Sequence, residues 1–137
     1  MTNGYNPVSR GTILIPSGSK DHLHFVCSDP VFYPPTQKES VLVVNISSIK
    51  DDIGYDSSCV LDVGDHPFIT HPSFVYYLKA DIFGADNIAR NVADGTFQVH
   101  EDCTDETFVR ILDGFDISDD VRPKPFRFYE KHCKKKE

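Results

Sequence analysis

The chain has 137 residues, of which 39% are hydrophobic and 26% are charged, and its net charge is −7. This length suits a single domain with a full core, and the composition is ordinary for a water-soluble globular protein. No window approaches the roughly 18 consecutive apolar residues of a membrane helix, and the polar start does not look like a secretory or transit signal, so we expect a cytoplasmic protein.

The four cysteines limit the chemistry further. Cys27, Cys59, Cys103 and Cys133 show no CxxC spacing and no pairing with histidines at zinc-finger spacing. A structural zinc site and a disulfide scaffold are therefore disfavoured, and we expect reduced, mostly buried thiols. The sequence also lacks a nucleotide-binding glycine motif, and neither a metal nor a cofactor is expected.

Basic and acidic residues are unevenly distributed along the chain. Residues 131–137 (KHCKKKE) hold four lysines and one glutamate, so residues 1–130 keep 10 of the 14 basic and 20 of the 21 acidic side chains. Short lysine tails are usually solvated. We therefore expect a polar lead over residues 1–10, one domain over residues 11–130 and a basic tail over residues 131–137 that folding does not require.

The first third of the chain predicts strands. GTILIP (11–16) is β-branched, HLHFVCS (22–28) alternates with a period of two, and VLVVNI (41–46) is almost continuously apolar. These patterns are typical of half-buried strands and, in the last case, of a central strand buried on both faces. Residues 29–40 contain three prolines and are expected to form a loop.

Further strands are expected along the middle and at the end of the chain. CVLDV (59–63) and SFVYYLKADIF (73–83) are rich in β-branched or aromatic residues, TFQVH (96–100) predicts a short strand, and FRFYE (126–130) predicts a last edge strand. Residues 84–95 are expected to contain one short helical turn that ends at Gly95.

The strongest helix signal is TDETFVRILDGF (104–115). Thr104 is a good N-cap, and an apolar face follows at i, i+3, i+4 and i+7, formed by Phe108, Ile111, Leu112 and Phe115. Short strands closed by one amphipathic helix predict a mainly β domain of the α+β kind, either a small barrel or a strongly curved sheet with the helix packed on it.

Polar side chains near two strands could carry chemistry. His22 and His24 lie two apart on a strand and should share a face, a spacing that suits an acid and a base acting on a phosphodiester. No third metal ligand accompanies them, and a solvent-facing pair without function is the alternative. Ser47 and Ser48 leave the central strand after Asn45 and can donate to a phosphate, although serine there is also ordinary turn chemistry.

A second pair of histidines occurs in GDHPFITHPSFVYY (64–77). His66 and His71 each precede a proline, which disfavours helical geometry at both positions. We therefore expect both to form turns that lead into the next strand, with structural rather than chemical roles.

Over roughly residues 10–128, the order of elements resembles the PemK/MazF-like toxins. GTILIP is similar to the opening strand of that family, HLHFVCS to its second strand, VLVVNISSI to the strand that ends in Thr-Ser, SFVYYLKADIF to a later strand, and GTFQVHEDCTDETFVRILDGF to the closing segment. The resemblance implies an SH3-like β-barrel with a C-terminal helix. It also implies a homodimeric, metal-independent endoribonuclease that cuts RNA by 2′-hydroxyl attack and is neutralised by an antitoxin protein.

The resemblance further implies where the site should lie. In the family, an arginine at the start of the second strand and a threonine or serine at the end of the third meet at the RNA groove. The corresponding stretch of this chain, DHLHF (21–25), contains no arginine. His22 is the nearest substitute, and Lys20 can supply the fixed charge. The expected catalytic residues are His22, His24, Ser47 and Ser48, and the expected RNA contacts are Lys20 and Asn45.

Another class of function stays open. A non-catalytic SH3-like barrel could bind a protein partner, and the missing arginine and the acidic body favour that role over RNA binding. An acidic decoy for a nucleic-acid-binding enzyme rests on charge alone. Candidate contacts of a protein-binding module are the aromatic residues Phe32, Tyr33, Tyr55, Tyr76 and Tyr77.

Overall fold

The computed structural model describes residues 4–134, which form a mainly β protein, as the sequence predicted. The strands are β1 (Thr12–Ser17), β2 (Lys20–Val26), β3 (Val31–Tyr33), β4 (Lys38–Ser48), β5 (Val60–Leu61), β6 (Ser73–Val75), β7 (Asp81–Gly84) and β8 (Gln98–His100). The helices are α1 (Ala85–Ala93), α2 (Asp105–Ile117) and α3 (Pro123–His132), and a 3₁₀ turn covers Tyr77–Lys79.

All strands join one antiparallel sheet with the order β5-β6-β4-β2-β1-β8, and β3 and β7 pair with β4 beside this path. β4 is the central strand, because it pairs with β2, β3, β6 and β7. The described sheet is not closed into a barrel, because no ladder joins β5 to β8. Instead, the His66 ring beyond β5 donates from Nε2 to the Glu101 carbonyl beyond β8, at 2.7 Å.

The hydrophobic core lies on both faces of the sheet, which explains why residues 41–44 of β4 are all apolar and buried. One cluster forms beneath α2 and α3 and includes Phe25 and Val44, whereas a smaller cluster includes Val43 and Ile88 of α1. The face predicted for the amphipathic helix is confirmed: Ile111 and Phe115 are fully buried, and Phe108 and Leu112 pack partly against the same core. The predicted cap is also present, since Thr104 Oγ1 accepts from the Thr107 amide at 3.2 Å.

Close packing under α2 depends on a glycine. The hydroxyl of the fully buried Tyr77 donates to the Ile111 carbonyl at 2.6 Å. A Cβ at Gly114 would clash with the hydroxyl and ring of Tyr77. The absence of a side chain at residue 114 therefore lets the helix approach the sheet.

Three segments differ from their predicted secondary structure. Residues 29–40, expected to be a loop, form the β3–β4 hairpin, because Pro34 and Pro35 lie in its turn and Gln37 adopts a positive φ of 59°. The strand predicted over residues 73–83 is two short strands separated by the 3₁₀ turn. The single turn expected within residues 84–95 is the nine-residue helix α1.

The edge strand predicted over residues 126–130 is wrong, because these residues lie in α3. Pro123 starts this helix, and its buried positions Pro125, Phe128 and Tyr129 follow helical spacing. Tyr129 stacks on Phe115 with ring centroids 5.0 Å apart. Aromatic content suggested a strand, but packing against α2 selects a helix.

Helix α3 continues across the expected boundary at residue 131. Lys131 and His132 belong to the helix, Cys133 packs against the core, and Lys134 Nζ lies 3.2 Å from Asp116 Oδ1. Part of the predicted basic tail is therefore docked on the domain, and the rest of it lies outside the described residues. At the other end, Pro7 of the predicted polar lead is buried.

Candidate active-site cleft

A cleft opens where β2 and β4 separate. The two strands pair from His24 opposite Asn45 to Val26 opposite Val43, but further along β4 pairs with β6 instead. The first residues of β2 thus lose their β4 partner and border a cavity of about 650 Å³. Its lining comprises Lys20, Asp21, His22, Leu23, Ile46, Ser47, Ser48, Lys50, Pro67, Phe68, Ile69, Thr70, His71, Ser73 and His100.

His71 and Ser48 are in direct contact on the β4 side of this cleft. Ser48 Oγ lies 2.5 Å from His71 Nε2, and Thr70 Oγ1 lies 3.2 Å from the other ring nitrogen, Nδ1. The register explains this contact, because Ser48 pairs with Ser73, and Ser73 Oγ donates to the His71 carbonyl at 3.0 Å. A hydroxyl both donates and accepts, so each ring nitrogen keeps a partner in either tautomer.

The other ionisable side chains give the cleft a local charge opposite to that of the whole chain. Lys20 and His22 come from β2, Lys50 follows β4, and His100 ends β8. The only carboxylate among the lining residues is that of Asp21. A cleft with two lysines and three imidazoles favours an anionic ligand, although the protein as a whole is acidic.

Four of the six predicted site residues meet at this cleft, namely Lys20, His22, Ser47 and Ser48. His24 and Asn45 do not line it. They pair with each other across the β2–β4 ladder, beyond the point where the strands diverge. The expectation that His22 and His24 act on one phosphate therefore has no support in their placement.

His24 has a packed environment of its own. Its ring meets Phe83 edge to face at 6.4 Å, and its Nδ1 donates to the His22 carbonyl at 2.9 Å. Burial lowers the pKa of His24, and the hydrogen bond to that carbonyl opposes the shift. The neutral imidazole that results acts as a packing group beside the ladder.

His66 is a buried structural residue, as expected from its turn. Its Nε2 donates to the Glu101 carbonyl and its Nδ1 accepts from the Phe68 amide at 3.0 Å. Burial lowers the pKa of His66, and the Glu101 hydrogen bond works in the opposite direction. One neutral tautomer is therefore fixed by two backbone partners.

The sequence reasoning missed three cleft residues, His71, Lys50 and His100. His71 was expected to be structural because proline follows it, and that local rule carries no information on the pairing of β4 with β6. A useful signal was the second His-Pro pair directly before a strand, which places a polar ring at a strand entrance. No comparable sequence signal marks His100 or Lys50.

No set of three or more His, Cys, Asp or Glu side chains within residues 4–134 is arranged to hold a metal ion. Over the same residues, no helix is both long and apolar enough to cross a membrane. Comparisons with protein-family models, curated proteins and solved structures find no match for the chain. The chemistry of the cleft is therefore interpreted from its own geometry.

Proposed function

We propose that the cleft is the active site of a metal-independent endoribonuclease, carried by an SH3-like, partly open barrel of the PemK/MazF type. The observation that carries this proposal is the contact between His71 Nε2 and Ser48 Oγ in a cleft that also contains His22. Two imidazoles bordering one cavity suit general acid and general base catalysis near neutral pH.

The proposed reaction is an internal transesterification. One imidazole removes the proton of a ribose 2′-hydroxyl, whose oxygen attacks the adjacent phosphorus. The bond from phosphorus to the 5′-oxygen then breaks, and the second imidazole gives that oxygen a proton. The products are a 2′,3′-cyclic phosphate and a 5′-hydroxyl end, with no redox change and no added reactant.

His71 suits the proton-transfer role because of its hydroxyl partners. Ser48 and Thr70 can each donate or accept, so His71 can gain or lose a proton without leaving a ring nitrogen unsatisfied. His22 borders the cavity from β2 and supplies the second imidazole. Ser48 also offers a hydrogen bond to a phosphate oxygen.

The lysines replace the arginine that the family resemblance implies and this chain lacks. Lys20 and Lys50 both line the cleft. Fixed cations stabilise the extra negative charge on the phosphorane-like transition state, especially where the cavity limits solvent. Local charge therefore supports RNA binding in a protein of net charge −7.

The test is RNA cleavage by the purified full chain in the presence of EDTA. We expect single-stranded RNA to be cut to fragments with 2′,3′-cyclic phosphate ends, and a strand with 2′-deoxyribose at the cleaved position to stay intact. His71→Ala and His22→Ala should each lower kcat by about a hundred-fold or more, because each removes a proton-transfer group.

His24→Gln is the matched control, because His24 lies on the same strand as His22 but outside the cleft. This variant should cut RNA at nearly the parent rate once its melting temperature shows that it is folded. Loss of cleavage in His24→Gln equal to that in His22→Ala would contradict the site. A parent protein that cuts no RNA would exclude the enzymatic function.

A protein-binding module is the second candidate function, and one surface observation favours it. Tyr55, Phe74 and Tyr76 form a connected aromatic group, with centroid distances of 5.4 Å and 5.3 Å, and Tyr55 is 42% exposed. Tyr77, by contrast, is fully buried and cannot contact a partner. If the purified chain cuts no RNA but binds an antitoxin-like peptide through this aromatic face, the result would support the protein-binding function.

Two partner proposals follow from the family resemblance, a second copy of the chain and an antitoxin protein. Measuring the mass of the purified chain in solution tests the homodimer directly. Co-expression tests the other: we expect the chain alone to arrest bacterial growth, and a candidate antitoxin to restore growth and to co-purify with the chain.

A further inference from the structure

A second cavity lies at the opposite end of β4 from the cleft. It has a volume of about 350 Å³ and lies between the β3–β4 hairpin, the start of α1 and the start of α3. Lys38 of β4, Arg90 of α1 and Lys124 of α3 all line it. Three separate elements therefore bring a cation to one cavity.

These three cations are unpaired in the described part of the chain. None of the ion pairs formed within residues 4–134 involves Lys38, Arg90 or Lys124. Lys124 Nζ instead lies above the Tyr33 ring, 5.7 Å from its centroid. Unpaired cations around a cavity stand out in a chain with 21 acidic and 14 basic side chains.

The rest of the lining adds donors and one opposing charge. Gly84 precedes α1 and makes no side-chain cap, and Asn87 of the first helical turn lines the cavity with a side-chain amide that can donate. Asp86 is the only carboxylate among the lining residues. The balance of three cations against one carboxylate leaves the cavity positive.

We propose that this cavity binds a phosphate monoester. Such a group carries nearly two negative charges at neutral pH and has three oxygens that accept hydrogen bonds. A guanidinium and two ammonium groups match that demand in charge and in donors. The cavity volume falls at the lower end of the range for small organic ligands, which favours a phosphorylated small molecule over inorganic phosphate alone. This proposal is independent of the ribonuclease activity.

The test is calorimetric titration of the full chain with adenosine 5′-monophosphate, adenosine and inorganic phosphate. We expect the monophosphate to bind about ten-fold or more tightly than adenosine, because the two differ only in the charged group. Inorganic phosphate should compete for the same cavity, with a lower affinity than the monophosphate. Equal affinity for adenosine and its monophosphate would overturn the proposal, as would tighter binding of inorganic phosphate.

Two variants locate the binding. Lys124→Ala should weaken monophosphate binding by about ten-fold, whereas Arg127→Ala, an equal change of charge at an exposed position of the same helix, should change it less than about two-fold. His22→Ala should leave the affinity unchanged, because His22 lines the other cavity. Equal losses in Lys124→Ala and Arg127→Ala would show a general charge effect, and a loss in His22→Ala would assign binding to the cleft. Either result overturns the site.

Discussion

His66 and His71 occupy the same dipeptide, His-Pro, five residues apart, yet their surroundings differ completely. The His66 ring is 2% exposed and bridges two edges of the sheet through backbone groups. The exposed His71 ring lies between the hydroxyls of Ser48 and Thr70. Both rings precede a proline, but Thr70, the residue before His71, is itself a partner of that ring, whereas Asp65 precedes His66. The other partners, Glu101 for His66 and Ser48 for His71, are placed beside the rings by the fold.

The type of hydrogen-bond partner decides whether each imidazole is fixed in one tautomer. A backbone amide only donates and a carbonyl only accepts, so the Phe68 and Glu101 groups hold His66 in one neutral tautomer. Hydroxyl partners do both, so the contacts of His71 do not fix one tautomer. Burial and backbone partners thus make His66 a structural bridge, and the hydroxyl partners of His71 support the acid–base role proposed for it.

The largest effect that separates the two residues should be on stability. His66→Ala leaves the Glu101 carbonyl and the Phe68 amide without their partner and opens a cavity, so we expect a loss of about 2–4 kcal/mol. His71→Ala should cost less than about 1 kcal/mol, because the ring is exposed. Urea unfolding of both variants measures this contrast, and equal losses would remove the distinction.

A smaller effect should appear in the pH dependence of stability. Burial lowers the pKa of His66 in the folded chain below 6.5, the usual value for histidine. As the pH falls below 6.5, the unfolded state therefore binds a proton at this residue before the folded state does. The free energy of unfolding should therefore fall as the pH is lowered from about 7 to about 5. His24, whose pKa is also lowered by burial, adds to the fall with the same sign.

The His66→Ala variant isolates the contribution of His66 to the pH dependence of stability. The stability difference between the parent and His66→Ala should be largest near pH 7 and should shrink on acidification, because the variant no longer has the buried imidazole. A difference that widens towards pH 5 would mean that folded His66 is protonated, contrary to its backbone partners.

The smallest effect sharpens the role assigned to the His71 partners. Thr70→Val removes the hydroxyl near Nδ1 and should slow RNA cleavage by about two- to ten-fold, the value of one neutral hydrogen bond. The pH–rate profile should shift with it, since the Thr70 hydroxyl contacts the imidazole that we propose to transfer the proton. Thr70→Ser, which keeps the hydroxyl, should restore both the rate and the profile.

Local patterns in the sequence determined much of the framework. The almost continuously apolar run of residues 41–46 identified the central strand, because a strand buried on both faces needs apolar residues at most of its positions. Thr104 and the apolar spacing that follows identified α2. The period of two in β2 and the serines after the central strand placed His22 and Ser48 among the site candidates, and both line the cleft.

Only the tertiary structure decided the rest, because it depends on contacts between distant parts of the chain. Residues 126–130 became helical through packing of α3 on α2, which outweighed an aromatic content typical of strands. Because β2 diverges from β4, His22 lines the cleft whereas His24 lies in the β2–β4 ladder, although both residues belong to one strand. His71 met Ser48 because β4 changes its partner to β6, and no spacing within residues 64–77 could indicate that pairing.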